Sequence, residues 1–356
     1  MTGKAENGRG KRFCEGPGLA LLLLASLPAL AQPPAEVLRQ HMQHIVNTAD
    51  EWRTANPAYT DGSDIPAEFG LRFVLADDGS HATGELRGLY SNGKSALYWT
   101  LMTFYNPVTE KIIVQQVGWD GTLIRGETEP QTGSTQTIDA IEYGSNGTMK
   151  IVRHVQTYDH DQHTSSVYER NANGQWHQVS EWLWRRHPLD QPVPLPASKP
   201  PAQPTPLHKV AGHLVAGSGQ WRVRNPDDDP SAPTHFGMNY RWGPYGQYLV
   251  GEIISIYRDG RIEKDWSKYL TYNPVTGIAY LEQTNDSATY FRGELTPLGD
   301  NAAWHTGIVY KPDGTAISVR DKVLATDPNS FVSVVFERDQ AGQWQADRQW
   351  HWELQP

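Results

Sequence analysis

The chain has 356 residues, enough for about two domains, and its 38% hydrophobic and 20% charged content is that of a globular protein. Forty acidic residues against 31 basic ones, with no basic run, exclude a nucleic-acid binder that works through clustered Lys and Arg. The only cysteine is Cys14, so disulfides and cysteine-based metal sites are excluded from the body of the chain.

The first 31 residues read as a secretory signal peptide. Lys11 and Arg12 precede an apolar run, Leu19 to Leu30, which is too short to span a bilayer comfortably, and Ala29-Leu30-Ala31 is a small-x-small cleavage site. Without these residues the chain carries 27 basic and 38 acidic side chains, a net charge of −11. The expected location is periplasmic or secreted in a bacterium, Gram-negative by type, with no stable membrane insertion after cleavage. Leu38 to Trp52 then has the pattern of a short amphipathic helix ahead of the first copy of a repeat.

That repeat organises the chain. At a spacing of 167 residues, Tyr105-Asn106-Pro107-Val108-Thr109 recurs as Tyr272-Asn273-Pro274-Val275-Thr276, and Arg125-Gly126-Glu127 as Arg292-Gly293-Glu294. At 168, Gly174-Gln175-Trp176, Trp182 and Trp184 recur as Gly342-Gln343-Trp344, Trp350 and Trp352. Between the copies, Pro188 to Pro206 holds eight prolines in 19 residues and reads as an extended linker. The expected domains are a first β-barrel at 32–187 with a short N-terminal helix, a Pro-rich linker at 188–207, and a second β-barrel at 208–356.

Within each copy, Asn-Gly and Asp-Gly dipeptides (Asn92-Gly93, Asp120-Gly121, Asn146-Gly147, Asn173-Gly174; then Asp259-Gly260 and Asp313-Gly314) separate segments rich in Val, Ile, Thr, Tyr and Trp. This predicts an all-β meander of about eight or nine antiparallel strands per copy, which loses its edges by closing into a barrel. In the last strand Trp176, Trp182 and Trp184 share parity, as do Trp344, Trp350 and Trp352, and are expected to face the barrel interior together.

The Tyr-Asn-Pro-Val-Thr turn, the following Gly-Glu pair and the closing Trp182-x-Trp184-Arg185 resemble the lipocalin-like barrels of the exported bacterial family called domain of unknown function 1579. The resemblance covers roughly residues 45–187 and 208–354. It departs from that pattern at Asn106 and Asn273, where an Asp is expected, and at Glu353, which follows Trp352. It implies two tandem lipocalin-like barrels and no reaction, since that family carries none to transfer.

No nucleophile elbow, phosphate loop or dinucleotide fingerprint is present, so no catalytic residue, cofactor or metal is predicted. His41 with His44, the loop Asp159-His160-Asp161 with His163, and Asp227-Asp228-Asp229 read as surface or loop groups rather than ligand sets. The polar residues matched between copies are Glu85/Glu252, Arg125/Arg292, Glu127/Glu294 and Arg153/Arg320. The predicted ligand-binding set is therefore Trp99, Trp182, Trp184, Trp266, Trp350 and Trp352 for an apolar wall, with Arg125, Arg153, Arg292 and Arg320 for a polar head. The leading expectation is an exported binding protein holding a small, partly apolar, amphipathic ligand in its barrels. The alternatives are an envelope interaction protein with filled barrels, and an enzyme with an acid and an Arg in the barrel mouth.

Overall fold

The computed structural model describes residues 32–46, 50–189, 205–227, 229–299, 302–338 and 341–356. The predicted signal peptide and the central part of the predicted linker lie outside the described residues. Strands reach Pro188, and a helix starts at Pro206, so the described ends of the linker are narrower than the proline run suggests.

Each copy forms a closed antiparallel barrel of ten strands, one or two more than expected. The first holds β1 (Asp50–Ala55), β2 (Glu68–Leu75), β3 (His81–Leu89), β4 (Ser95–Asn106), β5 (Lys111–Gly118), β6 (Leu123–Thr128), β7 (Thr135–Tyr143), β8 (Met149–Asp159), β9 (Gln162–Arg170) and β10 (Trp176–Pro188). The second holds β11 (Gln220–Arg224), β12 (His235–Trp242), β13 (Tyr248–Ile256), β14 (Ile262–Tyr272), β15 (Ala279–Thr284), β16 (Tyr290–Pro297), β17 (Ala302–Tyr310), β18 (Ala316–Asp327), β19 (Ser330–Arg338) and β20 (Trp344–Leu354). The meander closes by pairing β1 with β10 and β11 with β20.

The missed strands are the short first ones. Helix α1 spans Pro34–Met42 and stops there, whereas Glu51 and Trp52 belong to β1 rather than to a helix. Asp50-Glu51-Trp52-Arg53 pairs with β10 and alternates faces, a tertiary pairing that overrides the helical pattern. The helix also belongs to the repeat. Trp52 Nε1 donates to the Ile45 carbonyl at 3.2 Å, and Trp221 Nε1 donates to the Leu214 carbonyl at 2.9 Å, so each copy carries a helical segment that its first strand ties down.

The turns match their dipeptides. Gly93, Gly121, Gly147, Gly174, Gly260 and Gly314 all have positive φ. Asn106 Oδ1 accepts from Val108 N and Thr109 N at 3.0 and 3.1 Å, and Asn273 Oδ1 accepts from Val275 N and Thr276 N at 2.9 and 3.1 Å. The turn needs one side-chain oxygen facing two amides, which is why Asn serves where Asp was expected.

The closing strands correct the parity argument. A β-bulge between Gln178 and Ser180, and another opposite Val335 and Phe336, insert one residue and reverse the facing of the residues beyond it. Trp182, Trp184, Trp350 and Trp352 pack into the cores, while Trp176 and Trp344 lie outside under Arg153 and Arg320, whose guanidinium carbons are 4.4 and 4.9 Å from the ring centroids.

The two barrels meet along a buried seam that the sequence did not announce. Met102 and Phe104 from β4, Ile113 and Val117 from β5 and Leu123 from β6 pack against Tyr248, Tyr269 and Tyr290 of the second barrel. Strand β5 is thus buried on both faces, because Ile112 and Val114 fill the first barrel. At the centre of the seam Gln115 Nε2 donates to Glu282 Oε1 at 2.5 Å. These two residues are separated by the repeat spacing of 167, so equivalent positions meet each other across a local pseudo-twofold axis. Glu282 is fully buried and also accepts from Arg125 at 2.6 Å and from Tyr290. Burial pushes its carboxyl up, opposed by Arg125 and Arg292. Removing one partner of such a pair strands the other charge. Arg125→Ala should therefore cost about 3–5 kcal/mol in urea unfolding, and a cost below about 1 kcal/mol would show that Glu282 does not depend on this cation.

Burial also holds six imidazoles well below their ordinary value: His41, His81, His154 and His213 near 4, His163 and His305 near 3. Each is neutral when folded and takes up a proton on unfolding once the pH is below about 6.5. The resulting stability is complete above that value and is lost as the pH falls toward 4. Every such proton steepens the loss by about 1.4 kcal/mol per pH unit. The urea midpoint is expected to drop sharply between about pH 6.5 and pH 5; a flat profile there would contradict the buried, neutral state of these rings.

Candidate functional site

A ten-stranded barrel is wider than an eight-stranded one, whose interior side chains just fill it. The extra width must be filled by large residues, and each copy also plugs it with its leading helical segment, Leu38, Met42 and Ile45 in the first. In the second barrel, α2 (Pro206–Ala211) and the 3₁₀ turn Gly212–Val215 contribute Leu207, Ala211 and Leu214 to the core. A cavity of about 270 Å³ remains inside. Its apolar wall includes Ile253, Trp266, Phe291, Val319, Trp350 and Trp352.

Strand alternation delivers four polar groups to the same space. On β14, Trp266, Lys268 and Leu270 point inward, whereas Tyr269 and Thr271 take part in the seam. On β18, Val319, Asp321 and Val323 line the cavity, while Arg320 and Lys322 lie over the outer ring of Trp304. His305 comes from β17 and Tyr240 from β12. Lys268 Nζ donates to Tyr240 Oη at 3.2 Å and lies 3.6 Å from Met238 Sδ. His305 Nδ1 stands 3.7 Å from Asp321 Oδ2, beyond hydrogen-bonding reach, and Asp321 Oδ1 has no hydrogen-bond partner among the described residues. The 29% of the Asp321 side chain that remains open faces the cavity it lines.

Burial pushes Asp321 up to about 6, with Lys268 opposing the rise. Burial, then the positive Lys268 and the nearby His213, push His305 down to about 3. Near neutral pH the cavity therefore holds an ionised carboxylate and a neutral imidazole beside Lys268.

The first copy lacks this set. Phe73, Leu101, Ile138 and His154 stand at the positions equivalent to Tyr240, Lys268, His305 and Asp321. The first core closes around Leu38, Trp52, Phe73, Ile112, Tyr158 and Trp184, with His163 stacked on Trp184 at 5.7 Å and edge-on to Trp52 at 4.6 Å.

The predicted site residues separate accordingly. Trp266, Trp350 and Trp352 line the cavity. Trp182 and Trp184 pack in the first core, and Trp99 packs against Ile124, Ala140 and Val152. Of the four predicted arginines, Arg320 alone is among the residues that line the cavity, and its guanidinium lies over the rings of Trp304 and Trp344. Arg125 binds Glu282 and covers the Tyr280 ring at 3.6 Å, and Arg292 pairs with Glu127, both at the seam. Arg125 and Glu127 thus pair across the copies rather than with each other. Arg153 binds Asp139 at 2.6 and 2.7 Å on the outer face, where Arg320 meets Trp304 and Trp344. Arginine on the strand face opposite the inward Val152, His154, Val319 and Asp321 has nowhere else to go.

The loop read as a metal-like cluster is also divided. His160 is exposed beside Asp161, while His163 is buried among Trp52, Tyr158 and Trp184. His41 Nδ1 accepts from Gln131 N at 3.1 Å. Other concavities are one of about 410 Å³ beside Lys209 and His213, a groove of about 930 Å³ along the seam, and two of about 670 and 620 Å³ beside Trp182 and Trp350.

No family model matches the chain, and no curated protein matches it significantly. Among solved structures it is similar to a protein of unknown function from the DUF3598 family of Nostoc punctiforme PCC 73102, at 12% identity over 91% of this chain and 100% of that one, with a TM-score of 0.25. It is also similar to a mutant of the vaccine antigen transferrin-binding protein B from Haemophilus parasuis Hp5, at 7% identity, 87% and 77% coverage and a TM-score of 0.20. Intact Ap-TbpB, with its N and C lobes, matches at 8% identity with the same coverages and a TM-score of 0.19. At such scores the likeness adds no argument, and the fold rests on the strand pairing itself. No described helix is long and apolar enough to cross a membrane.

The raised Asp321 yields a stability test. The folded state holds its proton more tightly than the unfolded chain, so its contribution is fully present below about pH 4 and lost as the pH rises through 6. Asp321→Asn, which stays neutral, should gain on the order of 2 kcal/mol relative to the parent between about pH 4 and pH 7. A parent-minus-variant difference in urea stability that does not change with pH would remove Asp321 from a buried setting.

Proposed function

We propose that this chain is an exported binding protein whose second barrel holds a small, partly apolar ligand. The carrying observation is the cavity of about 270 Å³ between Trp266, Trp350 and Trp352, apolar in most of its wall and furnished with a few converging polar groups. That size is near the lower end of the roughly 300–1,000 Å³ found for ligand pockets, so the occupant is small. Covering about 200 Å² of apolar ligand surface would contribute about 5 kcal/mol before association costs. Apolar burial alone then gives weak binding, and the polar end must supply both added affinity and selectivity. The signal-like segment ahead of Gln32 supports export.

Trp emission reads this directly. Titration with small apolar probes should give saturable quenching that is lost in Trp352→Ala and kept in Trp184→Ala, whose side chain lies in the other barrel. If no apolar probe produces a saturable change, or if Trp184→Ala alone abolishes it, the second barrel is not the binding site.

A further inference from the structure

Resting on that cavity reading, the polar end says what kind of molecule belongs inside. Asp321 Oδ1 is buried and has no hydrogen-bond partner among the described residues, while 29% of the side chain stays accessible at a residue that lines the cavity. A carboxylate short of donors in a buried setting is costly, and a ligand donor that reaches its accessible side would offset part of that cost. Lys268 lines the same cavity as Asp321 and His305. It has three N–H donors, of which Tyr240 Oη and Met238 Sδ take two. The cavity thus offers one open acceptor and one open donor, carried by charges of opposite sign.

We propose that the second barrel selects a neutral, hydroxyl-bearing apolar molecule of ring shape, its hydroxyl donating to Asp321 and accepting from Lys268. The charge balance decides the class. An anionic head gains from Lys268 and loses to Asp321, a cationic head does the reverse, and either must shed water to enter a mostly apolar cavity. A hydroxyl carries one donor and an acceptor on a single atom and brings no net charge. The aromatic lining of Trp266, Trp350 and Trp352 favours a ring over a long chain, since aromatic side chains pack well with planar partners. The volume limits the molecule to roughly a dozen heavy atoms, about one water-sized share of 20–30 Å³ each.

Three probes of one shape separate the possibilities: 2-naphthol, naphthalene and 2-naphthoate, titrated calorimetrically into the full chain at about pH 7.5, where Asp321 is ionised. The expected result is that 2-naphthol binds at least about tenfold more tightly than either of the others, the size of one charge-assisted hydrogen bond. Asp321→Leu should bring it down to the level of naphthalene. Should that variant misfold, Asp321→Asn keeps the shape with a neutral acceptor, and the preference should fall at least about threefold. Equal binding of 2-naphthol and naphthalene overturns the hydroxyl assignment and leaves the cavity reading intact. Tightest binding of 2-naphthoate overturns it in favour of an anion on Lys268. A preference for 2-naphthol that neither Asp321 variant changes also overturns it. No binding of any probe removes both this proposal and the ligand-binding function beneath it.

Discussion

A meander of ten antiparallel strands has two open edges, and the rest of this molecule depends on closing them. The pairing of Trp52 and Arg53 with Arg186 and Arg185, and of Trp221 and Arg222 with Leu354 and Glu353, turns each copy into a ring with no edge left to aggregate. Closure fixes which residues face inward, and ten strands fix a wide interior. The Trp content of the chain is the consequence. Trp52, Trp184, Trp221 and Trp352 are all buried in the cores, where smaller residues would leave voids.

From a shared frame the two copies diverged inside. Leu101, Ile138 and His154 help to make the first interior a packed core, in which burial keeps the imidazoles of His154 and His163 neutral. In the second, Lys268 and Asp321 place opposite charges, and His305 a neutral imidazole, at the same three positions. Charges in a barrel interior destabilise it unless they meet partners, and here the partners are incomplete. A fold tolerates such a set where it serves a purpose other than stability, and the void beside it makes ligand recognition the economical explanation.

Much of the fold was legible. The 167-residue repeat, the Asn-Gly and Asp-Gly turns and the aromatic strands led to two closed antiparallel barrels. The first strands were not, because Asp50–Ala55 is short and one of the two strands it pairs with, β10, lies over 130 residues away. The facing of Trp176 was misjudged because a single bulged residue at Val179 is invisible to period-two counting. The candidate site was half legible. Trp266, Trp350 and Trp352 were found by their matched positions, but the search for polar residues common to both copies led to Arg125, Arg153, Arg292 and Arg320, which hold the seam and the outer faces. The informative signal was the opposite one: inward positions where one copy is apolar and the other charged.

The seam shows why joining two copies in one chain matters. On a true twofold axis a residue meets itself, and two glutamates there would confront each other in a buried site, each raising the other's proton affinity. Covalent duplication frees the two positions to differ. With Gln at 115 and Glu at 282, one amide donates to one carboxylate, and Arg125 and Tyr290 satisfy the rest of it. The same freedom lets His81 of the first copy bond Tyr269 of the second at 2.8 Å, while the residue equivalent to Tyr269 in the first copy, Met102, packs in the same seam without a hydrogen bond. The asymmetry that fits the barrels together is the asymmetry that let one interior fill and the other stay open, since neither copy has to serve both faces of a symmetric contact.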